Sequence, residues 1–290
     1  MLLILGLCGQ SVFLKVPHFH RPEETLHAQA FFTEPGGKGY NQAVAARRVG
    51  ADVFFSGAIG QDEGGICCRE RLEKEGVASR FFVKQEKTAY AVILTDDSGE
   101  NRVTVYPGAQ MEISDLEALG NAFDRAKMML LTPEIPEPVF ARAMAMAKER
   151  QIPVLLNPAP FVPYVRRYLR DAWCLTPNRS EARAMLGLSE SQPLLPALQK
   201  APYPRMVVTL GGDGAVCLEN GACHMIPAPR VTAVDTTGAG DCLNGVLAAC
   251  LLRGMPLREA AAWAVRGASV SVSHPHVLDG LPFWQDISKQ

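Results

Sequence analysis

No hydrophobic run in this sequence is long enough to cross a lipid bilayer. The longest apolar stretches, such as residues 245–252, are much shorter than the roughly 18 to 20 residues that a membrane-spanning helix requires. No basic segment precedes the apolar residues 2–5, and Cys8, Gln10 and Lys15 follow them, so they predict a first strand rather than a signal peptide. We therefore expect a cytoplasmic protein that does not bind membranes.

The sequence also lacks an excess of charge of either sign. Its 290 residues include 29 Lys and Arg against 30 Asp and Glu, which gives a net charge of -1 with histidine neutral. Proteins that bind nucleic acids or acidic membranes need surplus Lys and Arg to neutralise phosphates. The balanced charge argues against those partners and favours a small ligand.

Neither cysteine nor histidine occurs in a spacing typical of metal sites. The eight cysteines include no Cys-x-x-Cys pair, and most lie within apolar runs, where a free thiol behaves as a small hydrophobic group. The six histidines include the pairs His18/His20 and His274/His276, but no third ligand stands at a metal-like spacing. The sequence therefore predicts neither a disulfide framework nor a zinc site.

Two common nucleotide-binding motifs are missing as well. The Walker A pattern G-x-x-x-x-G-K-[ST] is absent, because Lys38 is followed by Gly39. Residues 6–9, after the first apolar run, do not match the dinucleotide pattern G-x-G-x-x-G. P-loop NTPases and nicotinamide-dependent oxidoreductases are therefore disfavoured.

Short β-rich apolar runs alternate with segments of helical periodicity along most of the chain. This alternation is typical of a sheet covered on both faces, so we expect an α/β fold, a three-layer α/β/α core with a mostly parallel central sheet. The predicted strands are residues 2–5, 53–56, 128–131, 153–156, 173–175 and 206–209. The predicted helices are residues 41–49, 65–75, 138–150, 179–186 and 257–272, together with an amphipathic helix from Asp241.

The segment 81–106 departs from this alternation of strands and helices. Apolar and polar residues alternate on both sides of a turn at residues 96–99, which predicts an antiparallel hairpin. We interpret it as part of a small β-sheet lid, built from residues 11–34 and 81–108, on a single domain of residues 1–290. An edge extension without a functional role is the alternative.

The most informative segment is residues 234–241, Val-Asp-Thr-Thr-Gly-Ala-Gly-Asp, directly before the amphipathic helix. Its small residues leave backbone N–H groups accessible, and the helix N-terminus adds the positive end of a dipole, so the segment predicts an anion hole. Asp241 would repel a bound phosphate unless its carboxylate accepts a proton from an attacking hydroxyl, which indicates phosphoryl transfer. The alternative is an Asp that only caps the helix after a glycine turn.

A second glycine cluster, residues 36–42 (Gly-Gly-Lys-Gly-Tyr-Asn-Gln), opens a predicted helix. Accessible backbone, a cation and two amides suit a ligand with many hydroxyls, although an ordinary glycine-rich loop is the alternative. Residues 157–160, 176–178 and 209–214 each follow a predicted strand directly. Polar groups at the carboxyl ends of parallel strands are where α/β proteins bind ligands.

In this order, these segments resemble the ribokinase-like carbohydrate kinase family, also called the PfkB family. The resemblance extends from Leu2 to about Pro282, and the motifs are most similar to those of ribokinases. The motifs are Gly36-Gly37-Lys38-Gly39-x-Asn41-Gln42-Ala43-Val44-Ala45, Gly99-Glu100-Asn101 with Pro107-Gly108-Ala109, Asn157-Pro158-Ala159-Pro160, Thr176-Pro177-Asn178, Thr209-Leu210-Gly211 and Asp235-Thr236-Thr237-Gly238-Ala239-Gly240-Asp241.

The resemblance implies that Asp241 is the base that deprotonates the acceptor hydroxyl. The backbone of Gly238, Ala239 and Gly240 would form the anion hole for the transferred phosphoryl group. Residues that would contact the sugar are Gly37, Lys38, Asn41, Glu134 and Asp241. Residues that would hold ATP and Mg²⁺ are Asn178, Glu181, Thr209, Gly211, Gly214 and Gly240.

Two positions depart from the family pattern. Ser11, 25 residues before Gly36, stands where ribokinases have an Asp that binds two sugar hydroxyls, so tight binding of ribose is not assured. The resemblance also implies a monovalent-cation site, for an ion such as K⁺, at Asp235 and the carbonyls of residues 273–276. There Pro275-His276-Val277 replaces the usual glycine-alanine pair, so we expect a changed loop shape.

We therefore predict an ATP-dependent sugar kinase that phosphorylates a hydroxymethyl group of ribose or a related pentose or hexose, and the resemblance implies a homodimer through the lid. A nucleoside kinase of the same family is an alternative, because Ser11 would suit a different group on the anomeric carbon. A catalytically silent sugar-binding sensor is another. Asp241, Asn178 and Glu181 argue against a sensor, since a pure binder needs neither a base nor a metal site.

Overall fold

The first strand, β1 (Leu2–Leu5), is buried on both faces. In the computed structural model, which describes residues 1–289, Leu2 and Ile4 belong to one hydrophobic core, whereas Leu3 and Leu5 belong to another. Successive side chains of a strand point to opposite sides, so a wholly apolar strand requires cover on both faces. The sheet that contains β1 is therefore the middle of three layers.

The central sheet has nine strands, in the order β13-β12-β11-β10-β9-β8-β1-β4-β5. In this order, all neighbouring strands between β11 and β5 pair in parallel. Strand β12 is antiparallel to both of its neighbours, β11 and β13. The strands after β1 are β2 (Gly9–Lys15), β3 (Ala30–Gly36), β4 (Val53–Gly60), β5 (Ala78–Lys84), β6 (Ala89–Thr95), β7 (Asn101–Tyr106), β8 (Met128–Leu131), β9 (Val154–Leu156), β10 (Cys174–Leu175), β11 (Arg205–Thr209), β12 (Ala215–Glu219) and β13 (Ala222–Ile226).

Helices cover both faces of this sheet, as the sequence predicts. They are α1 (Lys38–Arg48), α2 (Glu63–Lys74), α3 (Ile113–Glu117), α4 (Gly120–Arg125), α5 (Glu137–Glu149), α6 (Arg179–Leu186), α7 (Leu194–Gln199), α8 (Ala239–Leu252), α9 (Leu257–Ser271), α10 (Val277–Gly280) and α11 (Trp284–Ser288). One core contains side chains of α1, α2 and α8–α11, and the other contains side chains of α3–α7. The predicted three-layer α/β/α core is confirmed, and the ends of its predicted strands and helices shift by a few residues. Within residues 1–289, no helix is both long enough and apolar enough to pass through a bilayer.

A separate four-stranded sheet, in the order β3-β2-β6-β7, lies outside the central one. Strands β6 and β7 form the predicted antiparallel hairpin, and β2 pairs with both β3 and β6. We call this sheet the lid.

One predicted boundary of the lid is wrong. Residues 81–84 belong to β5, which pairs in parallel with β4 at the edge of the central sheet. Phe81 packs against one core and Phe82 against the other. The consecutive apolar residues Phe81 and Phe82 fit a strand of the central sheet, whose two faces are both covered.

Helices α1 and α8 pack closely because α8 has a glycine at their contact. A Cβ atom at Gly245 would lie 2.5 Å from the Gln42 carbonyl oxygen and 2.6 Å from the Ala45 Cβ. Backbone atoms of α1 occupy this space and have little freedom to move. Gly245 therefore fixes the distance between the two helices that carry the glycine-cluster residues and Asp241.

We expect Gly245→Ala to lower the free energy of unfolding by about 1 to 3 kcal/mol, because the added methyl group forces α1 away from α8. Urea denaturation measures this change. Gly120→Ala is the matched control, since no atom lies within 4 Å of the added Cβ and the residue is helical. The control should leave stability unchanged or slightly raised. Equal effects of the two substitutions would contradict the packing argument.

Candidate active site

Two cavities meet at the N-terminus of α8. The larger has a volume of about 600 Å³ and the smaller about 240 Å³. The larger is lined there by Thr236, Ala239 and Gly240, and the smaller by Thr237, Gly238 and Asp241. Groups bound in the two cavities would therefore meet at the first turn of this helix.

At the first turn of α8, the Ala239 N–H donates to the Thr236 carbonyl (3.3 Å), whereas no side chain accepts from the N–H groups of Gly238 and Gly240. Gly238 is the N-cap residue, with φ = 76°, and no side chain caps the helix. A Cβ atom at this position would also collide with the Val277 side chain, so both backbone conformation and space require glycine. The N–H groups of Gly238 and Gly240 and the dipole of a 14-residue helix favour a negatively charged group at this point.

Asp241 is buried in the first turn of α8, with 7% of its surface exposed. Asn41 Nδ2 donates a hydrogen bond to its Oδ2 (2.9 Å), and Gln42 Nε2 donates one to its Oδ1 (3.1 Å). Both amides come from α1. The alternative reading of Asp241 as a helix cap is wrong, because Gly238 is the N-cap and the carboxylate accepts from another helix.

The charge of Lys38 compensates part of the cost of burying Asp241. Burial raises the pKa of Asp241, whereas Lys38 and the two amide donors lower it. The pKa of Lys38 is raised, mainly by the charge of Asp241. An ionised aspartate in this position therefore depends on residues of α1.

A chain of hydrogen bonds connects the ends of two central strands to α8. Each member is a buried polar side chain, which requires a partner in the absence of water. The chain runs from Gln42 Nε2 to Asn157 Oδ1 (3.2 Å), from Asn157 Nδ2 to the Thr176 carbonyl (2.8 Å), from the Thr176 hydroxyl to Asn244 Oδ1 (2.5 Å) and from Asn244 Nδ2 to the Gly240 carbonyl (2.8 Å).

Gln42 and Asn157 lie in the sequence motifs, which predict a hydroxylated ligand near the Gln42 amide but no role for Asn157 or Asn244. Asn244 is missing from those motifs, and its only signal is a polar residue in an otherwise apolar part of α8. Because these amides orient Asp241 and the turn that carries Gly240, they belong to the site as positioning residues.

The smaller cavity contains the residues predicted to contact a sugar. Ser11, Gly37, Lys38, Asn41 and Glu134 all line it, together with the inner face of the lid. The Lys38 backbone N–H donates to Glu134 Oε2 (2.7 Å). Asn41 Oδ1 is buried and accepts no hydrogen bond from residues 1–289. Such an acceptor is suited to a ligand that brings its own hydroxyl donor.

The larger cavity contains the residues predicted to hold a nucleoside. Thr209, Gly211 and Gly214 line one side. Gly214 has φ = 95°, and a Cβ atom there would collide with the Ile226 carbonyl. The opposite wall comes from α9 and the following residue, with Val265, Ala268, Ser269 and Val272. Apolar walls with a few polar groups are typical of sites for flat organic ligands.

Three predicted residues do not line either cavity. Asn178 and Glu181 form a capping box at the start of α6: Asn178 Oδ1 accepts from the Glu181 N–H, and Glu181 Oε2 accepts from the Asn178 N–H, both at 2.8 Å. Asp235 Oδ1 accepts from the Thr237 N–H (2.9 Å). The described residues include no group of three or more His, Cys, Asp or Glu side chains arranged to hold a metal ion.

His276 adopts the left-handed backbone conformation that glycine takes most readily, with φ = 66°. Its ring stacks on Phe32 of the lid, with ring centroids 3.5 Å apart. The segment Pro275-His276-Val277 therefore includes a residue with a glycine-like φ and contacts the lid through His276, and the expected change in loop shape stays a prediction.

A model of the family described as "pfkB family carbohydrate kinase" matches residues 1–284. Ribokinase of Bacillus subtilis (strain 168) is 32% identical, over 99% of this chain and 97% of that protein. Among solved structures, ribokinase from Thermotoga maritima superposes with a TM-score of 0.89 at 29% identity, covering 99% of this chain and 98% of that one. Arabidopsis thaliana ribokinase complexed with ribose and ATP superposes with a TM-score of 0.86 at 26% sequence identity, covering 99% of this chain and 97% of that one.

The buried carboxylates predict how stability changes with pH. Burial, with a contribution from Asp241, raises the pKa of Glu134 from its ordinary value of 4.5 to about 7. Between these values the folded protein retains a proton that the unfolded chain has lost, so this group makes stability fall as pH rises.

We therefore expect Glu134→Gln to lose less stability than the wild type between pH 4.5 and pH 7.5, an interval that contains both the ordinary pKa of 4.5 and the raised pKa of about 7. Urea denaturation at both pH values measures the difference. Glu86→Gln removes an exposed carboxylate outside the cavities and serves as the control. A pH dependence of Glu134→Gln equal to that of the wild type would contradict the raised pKa.

Proposed function

This chain belongs to the pfkB family of carbohydrate kinases and is an ATP-dependent sugar kinase, and we propose that its acceptor is a hydroxymethyl group of ribose or a related pentose or hexose. The observation that supports this most strongly is the position of Asp241 and the first turn of α8 between a nucleoside-sized cavity and a small polar one. A relative with similar structure is described as complexed with ribose and ATP. Because its co-substrate is ATP, we propose that the enzyme acts in the cytoplasm.

Asp241 acts as the general base in the proposed reaction. Its carboxylate takes the proton of the sugar hydroxyl, and the hydroxyl oxygen forms a bond to the γ-phosphorus as the bond to the bridging oxygen of ADP breaks. The N–H groups of Gly238, Ala239 and Gly240 stabilise the charge on the phosphoryl oxygens. Donors of this kind typically contribute factors of about 10² to 10³ each in rate, because they are oriented before the reaction begins.

The sugar is bound in the smaller cavity, with its hydroxymethyl group towards Asp241. Asn41 Oδ1 supplies a free acceptor, and Glu134 and Lys38 supply charged groups beside it. The fold requires glycine at position 37, since φ is 123° and any side chain there would collide with the Leu7 carbonyl, and its backbone lines the cavity. Ser11 adds one hydroxyl from the lid.

ATP is bound in the larger cavity, with its nucleoside near Thr209, Gly211 and Gly214 and its phosphates near Gly240. Asn178 and Glu181 would hold Mg²⁺, which neutralises phosphate charge when bound. Burial raises the pKa of Glu181, and the charges of Lys38 and Asp241 also act on this carboxylate, so it lies within electrostatic range of the site. Mg²⁺ usually keeps several waters and takes one or two carboxylates plus phosphate oxygens, so a cluster of protein ligands is not required.

Asp235 would hold a monovalent cation such as K⁺ together with carbonyls of residues 273–276. The Val234 and Asp235 N–H groups both donate to the Val272 carbonyl, which keeps Asp235 beside this segment. A carboxylate and carbonyl oxygens are suitable ligands for such an ion. When bound, it supplies positive charge beside the anion hole.

The lid also supplies a surface for a homodimer. Every residue of edge strand β7 is exposed, including Val103, Val105 and Tyr106, and Tyr106 pairs with exposed Tyr90 of β6. An exposed apolar edge strand is a ready site for pairing with another chain. We propose a second copy of this chain as the partner.

We expect Asp241→Asn to lower turnover by about 10² to 10⁴ and to leave the dissociation constant for ATP nearly unchanged, because the variant loses only the base. Rotation of the Asn41 amide can provide an acceptor for the new amide N–H groups, since Asn41 Oδ1 is otherwise unpartnered. ADP release with Mg·ATP and a panel of pentoses, hexoses and nucleosides measures turnover. Asp52→Asn, at an exposed position, is the control.

Two results would contradict this assignment. Wild-type turnover by the Asp241→Asn variant would remove Asp241 from the role of base. Turnover by the wild type on nucleosides, with none on pentoses or hexoses, would favour the nucleoside kinase instead.

For the dimer, we expect a sedimentation mass near twice the 31.4 kDa of the chain. Tyr106→Lys should raise the dissociation constant of the dimer at least about tenfold, because it places a charge in an apolar contact. Ile66→Lys, at an exposed apolar residue of α2, is the control and should have no effect. A monomeric wild-type protein, or equal effects of both variants, would contradict the proposed interface.

A further inference from the structure

Strand β3 of the lid carries a buried carboxylate, Glu34, to which the site described above assigns no role. Its side chain lines the smaller cavity, and only 5% of the residue is exposed. It is directly opposite Ser11 of β2 in the antiparallel ladder. Opposed residues project to the same face with Cβ atoms about 4.5 to 5.5 Å apart, so both residues present polar groups side by side.

The rest of the inner face of the lid is apolar. Phe13, Ala89, Ala91, Ile93, Val103 and Val105 are the other lid side chains on this face that line the cavity. Gln10 and Tyr90 also line the cavity, but they alternate to the other face of their strands, so Ser11 and Glu34 are the polar side chains on the inner face of the lid that line it. The position of Ser11 and Glu34 therefore determines which hydroxyls of a bound sugar can form hydrogen bonds with the lid.

Two backbone N–H groups hold the Glu34 carboxylate in place. The Val277 N–H donates to Oε1 (2.9 Å) and the Leu278 N–H donates to Oε2 (3.0 Å). Within residues 1–289, no Lys or Arg forms an ion pair with it. Burial raises the pKa of Glu34, and the two N–H groups and His276 offset only part of this effect, so a carboxylate placed there purely to join two segments would be an unfavourable choice.

The two N–H groups do not use the full capacity of the carboxylate. Its two oxygens offer about four acceptor positions, of which these hydrogen bonds occupy two. The other acceptor positions of the Glu34 carboxylate remain for a ligand, because this side chain lines the cavity beside the hydroxyl of Ser11. Two neighbouring hydroxyls on a sugar ring are donors that match this arrangement.

We propose that Glu34 determines substrate specificity by accepting hydrogen bonds from one or both hydroxyls of a vicinal diol of the sugar. The proposal rests on the sugar kinase function proposed above. Glu34 provides, from β3, a carboxylate on the same face of the lid where Ser11 of β2 provides only a hydroxyl. The two backbone donors orient this carboxylate before the sugar binds.

Kinetics with ribose, 2-deoxyribose and 3-deoxyribose test the role of Glu34. We expect Glu34→Gln and Glu34→Ala to raise the KM for ribose by about 10- to 100-fold, since a hydrogen bond to a charged group is lost, and to leave the KM for ATP unchanged. For the deoxy sugar that lacks the bound hydroxyl, the same substitutions should change KM by less than about threefold, because the interaction is already absent. Glu86→Gln is the matched control, at an exposed position outside the cavity.

A second variant separates sugar binding from a structural role. Combining Ser11→Asp with Glu34→Ala returns a carboxylate to the same face of the lid, one strand away. We expect this double variant to recover at least about tenfold of the lost ribose affinity relative to Glu34→Ala alone. A residue that only holds the segment at Val277 in place could not be replaced in this way.

Two results would overturn this role of Glu34. One is that its substitution lowers kcat by the same factor for ribose and for both deoxy sugars without changing KM. The other is that the double variant recovers nothing. If the wild-type protein phosphorylates no sugar at all, the proposed function itself fails, and that result is distinct from an altered pattern among variants of an active enzyme.

Discussion

The contact between the Asp241 carboxylate and the side-chain amides of Asn41 and Gln42 is the interaction on which the rest of the site depends. It places a charge in a buried position, where burial alone raises the pKa of an aspartate. The two amides and Lys38 compensate for the lost water, and all three lie on α1. The close approach of α1 to α8 at Gly245 is therefore a requirement of the chemistry as well as of the packing.

The same contact explains how a nearly neutral protein can use a highly charged substrate. With a net charge of -1, the chain has no excess of Lys and Arg that could attract ATP over a broad surface. In the proposed reaction, the N–H groups at the start of α8 and bound Mg²⁺ compensate the charge of the phosphates locally. Local donors of this kind act in a site that excludes water, where each is stronger than on an exposed surface.

The lid and the core have different tasks in this arrangement. Residues of the core, from Asn41 to Asp241, are common to any reaction that transfers a phosphoryl group to a hydroxyl held in the smaller cavity. The lid contributes Ser11 and Glu34, whose positions depend on the sheet register and on the N–H groups of the segment after α9. Selection among sugars can therefore change with lid residues while the catalytic residues stay the same.

The sequence by itself determined the α/β order, the start of α8 and the glycine cluster, because strand and helix periodicity and helix-start chemistry are local properties of the chain. It also placed Asp241 and Asn41 in one site through resemblance. Only the tertiary structure decided that Phe81 and Phe82 belong to the central sheet, since a short apolar run does not reveal which sheet its strand joins. The contacts of Asn244 and Glu34 were likewise decided there, because their hydrogen bonds join residues 68 and 243 positions apart, and no local pattern encodes such contacts.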